Sequence, residues 1–391
     1  MINKINKSIT IIAIVTILSA GLFILINKSQ AASTATNYYG VNWSPMFYGN
    51  ADIDKNLNLM QAAGVNALRM DVQWARLEPT TKGTYAQNYL TQLDYAVNGL
   101  VARGIKTLMT VDRTPAWANS NLGQFAPPTN DQDYADFLVF LINRYTGKVN
   151  DFEIWNEPNL SQFWLNPNPV RYTALLKIAY TSAKAANPQV NILGGSISNT
   201  TSSGTTFLTG MYQAGAKAYF DTLSQHIYGD IPNHGNLTPE TLFDTLTSNI
   251  LPIMQNNGDG SKRIWITEHG YNTALTGVSE SVQADYLARS YTKVKTISSI
   301  DSLYYYSWMN ASTWDTGCNC AVTDSSNPEQ NYGLVKVDVS QKPAFTAYKN
   351  MTVTTQIPTI KPTVPPNLNT PTPTRYCCKS TSRGCRKWCY R

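Results

Sequence analysis

The feature that most constrains the fold of this chain is a repeated alternation of short apolar runs with amphipathic stretches between about residues 38 and 348. Short apolar runs predict buried strands, and apolar side chains spaced three and four apart predict helices. The strand candidates are residues 39–43, 67–71, 107–111, 151–155, 191–194, 222–226, 263–267 and 302–308. The helix candidates are residues 53–63, 89–103, 131–145, 170–186, 205–214, 239–254, 280–297 and 343–350. Eight of each, over about 310 residues, predict an α/β fold of the (β/α)8 TIM barrel type.

The alternative for such an alternation is a doubly wound open sheet. Dinucleotide-binding folds of that class carry a glycine-rich phosphate loop directly after an early strand. None of the early strand candidates is followed by such a loop. The barrel is therefore favoured, and the sequence predicts no nucleotide cofactor.

Residues 1–32 have the features of an export signal. Lys4 and Lys7 precede an uncharged run over residues 9–26, and small residues follow at Ser29 and Ala31, which favours cleavage before Ala32. The run is also long enough to span a bilayer, so a retained N-terminal membrane anchor is the alternative. With either outcome, the body of the protein is expected to be extracellular or on the cell surface.

The composition changes after residue 350. Residues 351–374 are rich in Thr and Pro and predict an extended linker. Residues 375–391 contain four of the six cysteines and are too few for a sugar-binding sandwich. We expect a disordered tail without an independent function; the alternatives are a small disulfide knot, a basic wall-binding peptide, or an accidental reading-frame shift within repetitive Pro-Thr codons. The spacing of Cys318 and Cys320 is compatible with a strained disulfide or with two thiols.

The net charge of +6 comes from the two ends of the chain. Ten of the 31 basic residues lie in the leader or after residue 350, whereas all 25 acidic residues lie between them, which leaves this body with a net charge of −4. A mildly acidic body argues against nucleic acid as a partner. The three histidines lie far from the cysteines, so no structural zinc site is predicted.

Two strand candidates are followed by a glutamate and then by a turn-forming residue. Asn156 and Glu157 follow the fourth strand, and Glu268 directly follows the seventh. Parallel barrels place their catalytic groups at the carboxyl ends of the strands. Acid-assisted displacement at a sugar carbon needs two carboxyl groups, one as proton donor and one as nucleophile or base. The pair therefore predicts a glycosidase.

The other strand ends supply polar and aromatic side chains that suit a sugar. Aromatic faces stack on sugar rings, while amides and carboxylates bond hydroxyl groups. Three of these residues also have purely structural interpretations: Arg69 as a neutralising partner of Asp71, His226 as an ordinary buried histidine, and Trp164 as a packing residue. The candidate substrate-binding residues are Arg69, Asp112, Asn156, Trp164, His226, Tyr228 and Trp308.

Four motifs, in strand order, resemble the retaining glycoside hydrolases of clan A. They are Trp155-Asn156-Glu157-Pro158, His226-Ile227-Tyr228, Thr267-Glu268 and Trp308. The sequence of residues 152–164 is most similar to that of family 39, and within this family to single-barrel bacterial exopolysaccharide glycosidases. The resemblance covers roughly residues 38–350. The β-xylosidases of that family usually carry an accessory β-sandwich, for which this chain has no length left, and a small-substrate xylosidase role is accordingly doubtful.

The resemblance implies a role for each matching residue. Glu157 would be the acid/base and Glu268 the nucleophile, with Arg69 and Tyr228 holding the nucleophile. Asn156 would bond the sugar 2-hydroxyl, and Trp308 would form the floor of the subsite at the cleaved bond. For this chemistry Glu157 must be protonated and Glu268 ionised near neutral pH.

The expected function is that of an exported, monomeric, retaining glycoside hydrolase that cleaves β-type bonds in a polysaccharide. Endo action is expected because Phe163 and Trp164 lie in the loop after the fourth strand, and Trp314 in the loop after the eighth, where they would stack several sugar rings. Two alternatives use the same barrel: a non-catalytic carbohydrate-binding protein of the cell surface, and a transglycosylase with the same catalytic pair. No metal or other cofactor is predicted.

Overall fold

Eight parallel strands form a closed barrel in which every strand pairs with its neighbours in chain order and the eighth pairs with the first. The computed structural model describes residues 38–229, 237–310, 324–355, 375–381 and 384–390. The barrel strands are β1 (Tyr38–Asn42), β2 (Ala67–Gln73), β3 (Lys106–Asp112), β4 (Asp151–Ile154), β5 (Asn191–Ser198), β6 (Thr222–Tyr228), β7 (Arg263–Gly270) and β8 (Ile300–Tyr305). The predicted TIM barrel is confirmed.

Helices follow the strands and cover the outside of the barrel. They are α1 (Asn50–Ala62), α2 (Trp74–Leu77), α3 (Gln87–Ala102), α4 (Asp131–Arg144), α5 (Pro169–Ala186), α6 (Ser202–Gln213), α7 (Pro239–Asn256), α8 (Glu280–Val294) and α9 (Pro343–Thr355). All eight helix candidates are confirmed, and the short α2 is an addition. Side chains of Asn168, Thr238 and Ser279 accept first-turn backbone N–H groups and so define where α5, α7 and α8 begin.

The barrel interior is apolar at one level and polar at the next. Ala67, Leu108, Leu193, Trp265 and Tyr304 form a buried apolar layer inside the strands. Because side chains alternate along a strand, the residues two positions further along also point inward. Those residues include Arg69, Thr110 and Thr267, which form a polar layer directly above the apolar one. The apolar layer thus forms the base on which the polar groups of the mouth are held.

Strands β6 and β7 run further than the sequence predicts, to Tyr228 and Gly270. The register between them shifts near Gln225 and His226, so that His226 lies opposite Glu268. A bulge of this kind adds a residue to one strand and changes the direction of the side chains that follow. As a result Thr267 and Glu268, although consecutive, both reach the interior, and Glu268 lies within β7 rather than after it.

The last helix of the barrel extends five residues beyond the predicted end at residue 350. The buried side chain of Thr352 donates from Oγ1 to the Ala63 carbonyl at 2.7 Å, and the Tyr348 hydroxyl donates to the Tyr39 carbonyl. Residues 351–355, which the sequence assigns to the linker, therefore belong to α9. The leader, Cys318, Cys320, Trp314 and residues 356–374 lie outside the described residues.

Residues Thr354–Arg391 form a separate unit of the chain. Within it, β9 (Arg375–Thr381) and β10 (Gly384–Tyr390) pair as an antiparallel ladder. The sequence predicts a disordered tail, whereas these two segments pair as strands. Over the described ranges, none of the helices has the length and apolar character needed to cross a bilayer.

We expect the pH dependence of stability to report on a buried lysine. Lys342 is 1% exposed and donates to Thr273 Oγ1 at 2.9 Å and to the Asn331 carbonyl at 3.2 Å. Burial lowers its pKa from 10.5 to about 7. Above pH 7 the unfolded chain therefore binds more protons than the folded one, and the free energy of unfolding should rise by about 2 kcal/mol between pH 7 and 9.

Urea unfolding at both pH values, on the wild type and on Lys342→Met, measures this contribution. The Met side chain keeps the buried volume but cannot titrate, so the rise should be largely lost. An equal rise in both proteins would show that other groups are responsible.

Candidate active site

Glu157 is held in the mouth of the barrel by a turn that follows β4. Trp155 and Glu157 have positive φ angles of 71° and 44°, which is unusual for residues other than glycine. The turn is fixed because the Trp155 N–H donates to the Val111 carbonyl at 3.0 Å and the Glu157 N–H donates to the Ser196 carbonyl at 3.1 Å. The neighbouring strands β3 and β5 thereby determine where the Glu157 carboxyl group lies.

Glu268 receives hydrogen bonds at both carboxylate oxygens. Arg69 donates from Nη1 to Oε1 at 2.6 Å, and the Tyr228 hydroxyl donates to Oε2 at 2.5 Å. The side chain is buried except for a small surface that faces the mouth. Hydrogen bonds from a guanidinium and a phenol to one carboxyl group match the lone pairs of an ionised carboxylate. Glu268 is thus held as an anion.

Arg69 lies beneath the two glutamates and is buried. Besides Glu268, its guanidinium bonds Glu153 Oε2 at 2.7 Å, Asn42 Oδ1 at 3.0 Å and Asn156 Oδ1 at 2.8 Å. The last bond orients the Asn156 amide, because its oxygen is occupied by Arg69 and its NH₂ group is left as the donor. The alternative that Arg69 merely pairs with Asp71 is not what the geometry shows.

Glu153 is a site residue that the sequence analysis missed. It is fully buried in β4, and besides Arg69 it accepts hydrogen bonds from Thr110 Oγ1 at 2.6 Å and from Ser224 Oγ. Burial alone would raise its pKa, but the charge of Arg69 outweighs burial and holds the pKa below its usual range. The sequence does contain a sign of this role, because Glu153 is a charged residue in the middle of the apolar run Phe152-Glu-Ile-Trp.

His226 positions Glu157 and does not line the cleft. Its side chain is completely buried, with Nδ1 2.8 Å from Glu157 Oε1 and Nε2 3.1 Å from Ser196 Oγ. Burial lowers the pKa of this imidazole, but the carboxyl groups of Glu268 and Glu157 outweigh burial and raise it. Its expected role in direct substrate binding is therefore corrected to one of holding the carboxyl group.

The two candidate catalytic carboxyl groups lie close together. Glu157, His226 and Glu268 each offer a ligand atom within 4.8 Å of the other two. Retaining glycosidases separate their carboxyl groups by about 5–5.5 Å, and inverting ones by roughly 6.5–9.5 Å to make room for water. The short separation favours direct attack by one carboxylate. Two carboxylates and an imidazole are also ligands that Zn²⁺ accepts, and in the described residues this is the set that could hold a metal.

A sequence model of the family described as cellulase (glycosyl hydrolase family 5) matches residues 28–316. The chain belongs to this glycoside hydrolase family, which is part of clan A. The clan predicted from the four motifs is confirmed.

Individual relatives agree with the assignment. A family 39 glycoside hydrolase from Bacteroides cellulosilyticus is 25% identical, with a TM-score of 0.64 over 80% of this chain and 62% of that one. A monomeric β-xylosidase from Caulobacter crescentus, at 18% identity and a TM-score of 0.62 over 82% of this chain and 69% of that one, shows the same fold. A β-xylosidase from Geobacillus stearothermophilus is 26% identical over 99 residues, 24% of this chain and 19% of that protein. The chain thus spans about a fifth of that curated relative and less than two thirds of the family 39 structure.

Two expected stacking residues of this glycoside hydrolase are packing residues. Trp308 is completely buried; its Nε1 donates to Asn56 Oδ1 at 2.8 Å, and its ring packs on Phe345 of α9. Trp164 is also completely buried, with its ring centroid 5.0 Å from that of Trp155. A ring with no exposed face cannot stack on a sugar, so both expectations are corrected.

Tyr306 is a second tyrosine near Glu268, next to Tyr228. It directly follows β8, is 8% exposed, and its ring meets those of Tyr228 and Tyr332 edge-on at 6.1 and 5.3 Å. Burial raises its pKa well above the usual value, and the charges of Glu329 and Glu268 add to this effect. Strand alternation could have indicated that Tyr306 points inward, because Tyr304 belongs to the inner layer and Tyr306 is two residues further along.

Asp112 lies at the mouth, as the last residue of β3. Its Oδ2 is 3.6 Å from Arg113 Nε, and the same guanidinium reaches Asp71 Oδ2 at 4.0 Å. Burial raises the pKa of Asp112 to about 7, although Arg113 opposes this shift. Asp112 therefore belongs to a second group of charges, at the carboxyl ends of β2 and β3.

Proposed function

We propose that this protein is an exported retaining glycosidase that cleaves β-linked sugars of a polysaccharide by double displacement. The observation that carries the proposal is the pair of nearby carboxyl groups in different surroundings. Glu268 is fixed as an anion by Arg69 and Tyr228, whereas Glu157 faces the histidine and no arginine among the described ion pairs. One group is thus prepared to attack and the other to exchange a proton.

In the first step a Glu268 oxygen attacks the anomeric carbon while Glu157 gives its proton to the glycosidic oxygen. The bond from the anomeric carbon to that oxygen breaks, the leaving sugar departs as an alcohol, and a glycosyl ester forms on Glu268. In the second step Glu157, now a carboxylate, takes a proton from water as the water oxygen displaces Glu268. Two inversions at one carbon give net retention.

Polysaccharide as substrate and endo action are the finer parts of the proposal. Phe163 in the loop after β4 contacts Phe125 in the loop after β3, with centroids 6.0 Å apart. Both rings are half-buried, and they lie on the rim where further sugar units of a chain would stack. The names of the relatives, which include β-xylosidases and an exo-β-1,4-mannosidase, support β-linked substrates.

A substrate screen tests this function. The full chain is incubated with β-glucans, xylans, mannans and bacterial exopolysaccharides, and the products are sized by mass spectrometry, with Glu268→Ala as the blank. We expect oligosaccharides early in the reaction on at least one polymer. Monosaccharide alone would contradict endo action, longer chains would indicate a transglycosylase, and binding without any product would indicate a carbohydrate-binding protein.

The catalytic module is proposed to comprise residues 33–355, preceded by an export signal or anchor, and to act as a monomer. Truncation after Gln356 keeps α9 and its contact from Thr352 to Ala63. It should leave turnover within about twofold of the full chain, because all of the candidate catalytic residues lie in the barrel. Truncation after residue 350 removes Thr352 and should lower the thermal midpoint. A large loss of turnover in the longer truncation would show that the tail takes part in catalysis.

A further inference from the structure

Three side chains at the carboxyl ends of β2 and β3 form a second polar group in the mouth of the barrel. Asp71 and Gln73 lie two and four residues beyond Arg69 in β2, and Asp112 lies two residues beyond Thr110 in β3. Residues spaced two apart in a strand share a face, so all of them face the interior. Gln73 and Asp112 are register partners on these neighbouring strands. We call Asp71, Gln73 and Asp112 the mouth cluster. Its members make none of the hydrogen bonds described above for the catalytic pair.

The mouth cluster contains two buried hydrogen-bond acceptors without a donor. Asp112 is 3% exposed and Gln73 is 1% exposed, yet Asp112 Oδ1 and Gln73 Oε1 have no hydrogen-bond partner in the described part of the chain. Leaving a buried acceptor unpaired costs about 1–3 kcal/mol, and such atoms are rare in folded proteins. The Gln73 oxygen can only accept, and so can the Asp112 oxygen when that carboxyl group is ionised, so the group that satisfies both must donate.

Among the described ion pairs, both carboxyl groups of the mouth cluster meet the same guanidinium. Arg113 is the cation that lies between Asp71 and Asp112, at 4.0 and 3.6 Å, and both separations exceed ordinary hydrogen-bond lengths. Arg69 is already engaged by Glu153 and Glu268. Two carboxylates therefore share one guanidinium. The Asp71 side chain retains 13% exposure, which gives the cleft access to the cluster.

We infer that the mouth cluster is a subsite for an ammonium group, and that the polysaccharide substrate contains a sugar with a free, non-acetylated amine. An ammonium carries one positive charge and three N–H donors. The partly exposed Asp71 carboxylate would accept from the ammonium directly, whereas the buried oxygens of Asp112 and Gln73 would have to turn toward the cleft to accept the other two N–H groups. A hydroxyl group has a single donor and no charge, and an acetamido group has a single N–H and added bulk. The inference rests on the proposed function, since it names the substrate class of the same cleft.

Direct binding tests the inference without relying on turnover. The full chain is titrated with the methyl β-glycosides of glucosamine, N-acetylglucosamine and glucose, and with the corresponding galactose series, at a pH where the amines are protonated. We expect the amino sugar of at least one series to bind about tenfold more tightly than its hydroxyl and acetamido counterparts. Asp112→Asn, which keeps the shape and removes the charge, should reduce this preference to about twofold or less.

Asp151→Asn is the matched control. Asp151 is also a buried strand aspartate, but it lies at the opposite end of the barrel, where it accepts from Asn191 Nδ2 at 2.9 Å. This variant should keep the full preference. If Asp112→Asn does not fold, Asp71→Asn provides the same comparison from the more exposed side of the cluster.

Equal binding of the three sugars, no measurable binding of any amino sugar, or a preference that survives both replacements would overturn the inference. So would Asp112-dependent binding of calcium or magnesium without any preference for amines, which would identify an inorganic cation site. The proposed function fails separately: amine-dependent binding without cleavage of any polymer refutes only the enzyme, whereas Asp112-independent cleavage of neutral polymers refutes only the subsite.

Discussion

Replacement of Glu268 by alanine is expected to lower turnover by on the order of 10⁴-fold or more, because the covalent intermediate can no longer form. Replacement of Glu157 by alanine should cost about 10²–10⁴-fold on substrates whose leaving group needs a proton, and much less on aryl glycosides with good leaving groups. Glu240→Gln, at an exposed ion pair with Arg289 on the protein surface, is the control and should be unaffected.

Added azide separates the two roles. In Glu268→Ala, azide should attack the glycoside directly and give a glycosyl azide of inverted configuration. In Glu157→Ala it should attack the glycosyl ester on Glu268 and give the retained product. Proton NMR of the first sugar released by the wild type decides the central point: if its anomeric configuration is inverted, Glu268 acts as a base toward water and the double displacement is wrong.

Replacement of Arg69 by methionine should affect both stability and catalysis. It leaves Glu153 and Glu268 without their shared cation, and removing one partner of a buried ion pair costs about 3–5 kcal/mol. Turnover should fall by about 10²–10³-fold, as when a preorganised donor is removed from a charged site. Arg144→Met, at a surface pair with Asp94, should change the free energy of unfolding by less than about 1 kcal/mol.

The double variant Arg69→Met with Glu153→Gln distinguishes the two effects of Arg69. The neutral amide that replaces the Glu153 carboxylate can still pair with the Thr110 and Ser224 hydroxyls, so urea unfolding should show that much of the lost stability returns. Turnover should stay low, because Glu268 still lacks its guanidinium. If turnover returned with stability, the function of Arg69 would be only to neutralise Glu153.

The barrel, and the presence of two carboxyl groups in its mouth, could be predicted from the sequence because they depend on short-range patterns. Apolar periodicity marked the strands, and a glutamate at the end of an apolar run marked each member of the pair. The supporting residues depend on contacts between distant strands. Glu153 acquires its role only because Arg69, 84 residues earlier in the chain, meets it across the interior.

Burial was the property that the sequence predicted least well. Trp164, His226 and Trp308 carry the side chains expected in a sugar site, yet all three are completely buried. Whether an aromatic ring faces the cleft or the helices depends on strand direction and on the local register. Tyr306, the first residue after β8, still follows the alternation of Tyr304, whereas Trp308, two residues further along, no longer follows it and packs on Phe345.

The shifted register between β6 and β7 has a consequence for how this active site can change over evolutionary time. Glu268, the proposed nucleophile, reaches the interior only because one additional residue interrupts the alternation of β7 before it. A change that let β7 run regularly through this point would turn the Glu268 carboxylate toward the helices, although every residue of the candidate site would still be encoded. The position of the carboxyl group is thus set by the local register of the strand as much as by its composition, and substitutions that remove the bulge can be as damaging as substitution of the glutamate itself.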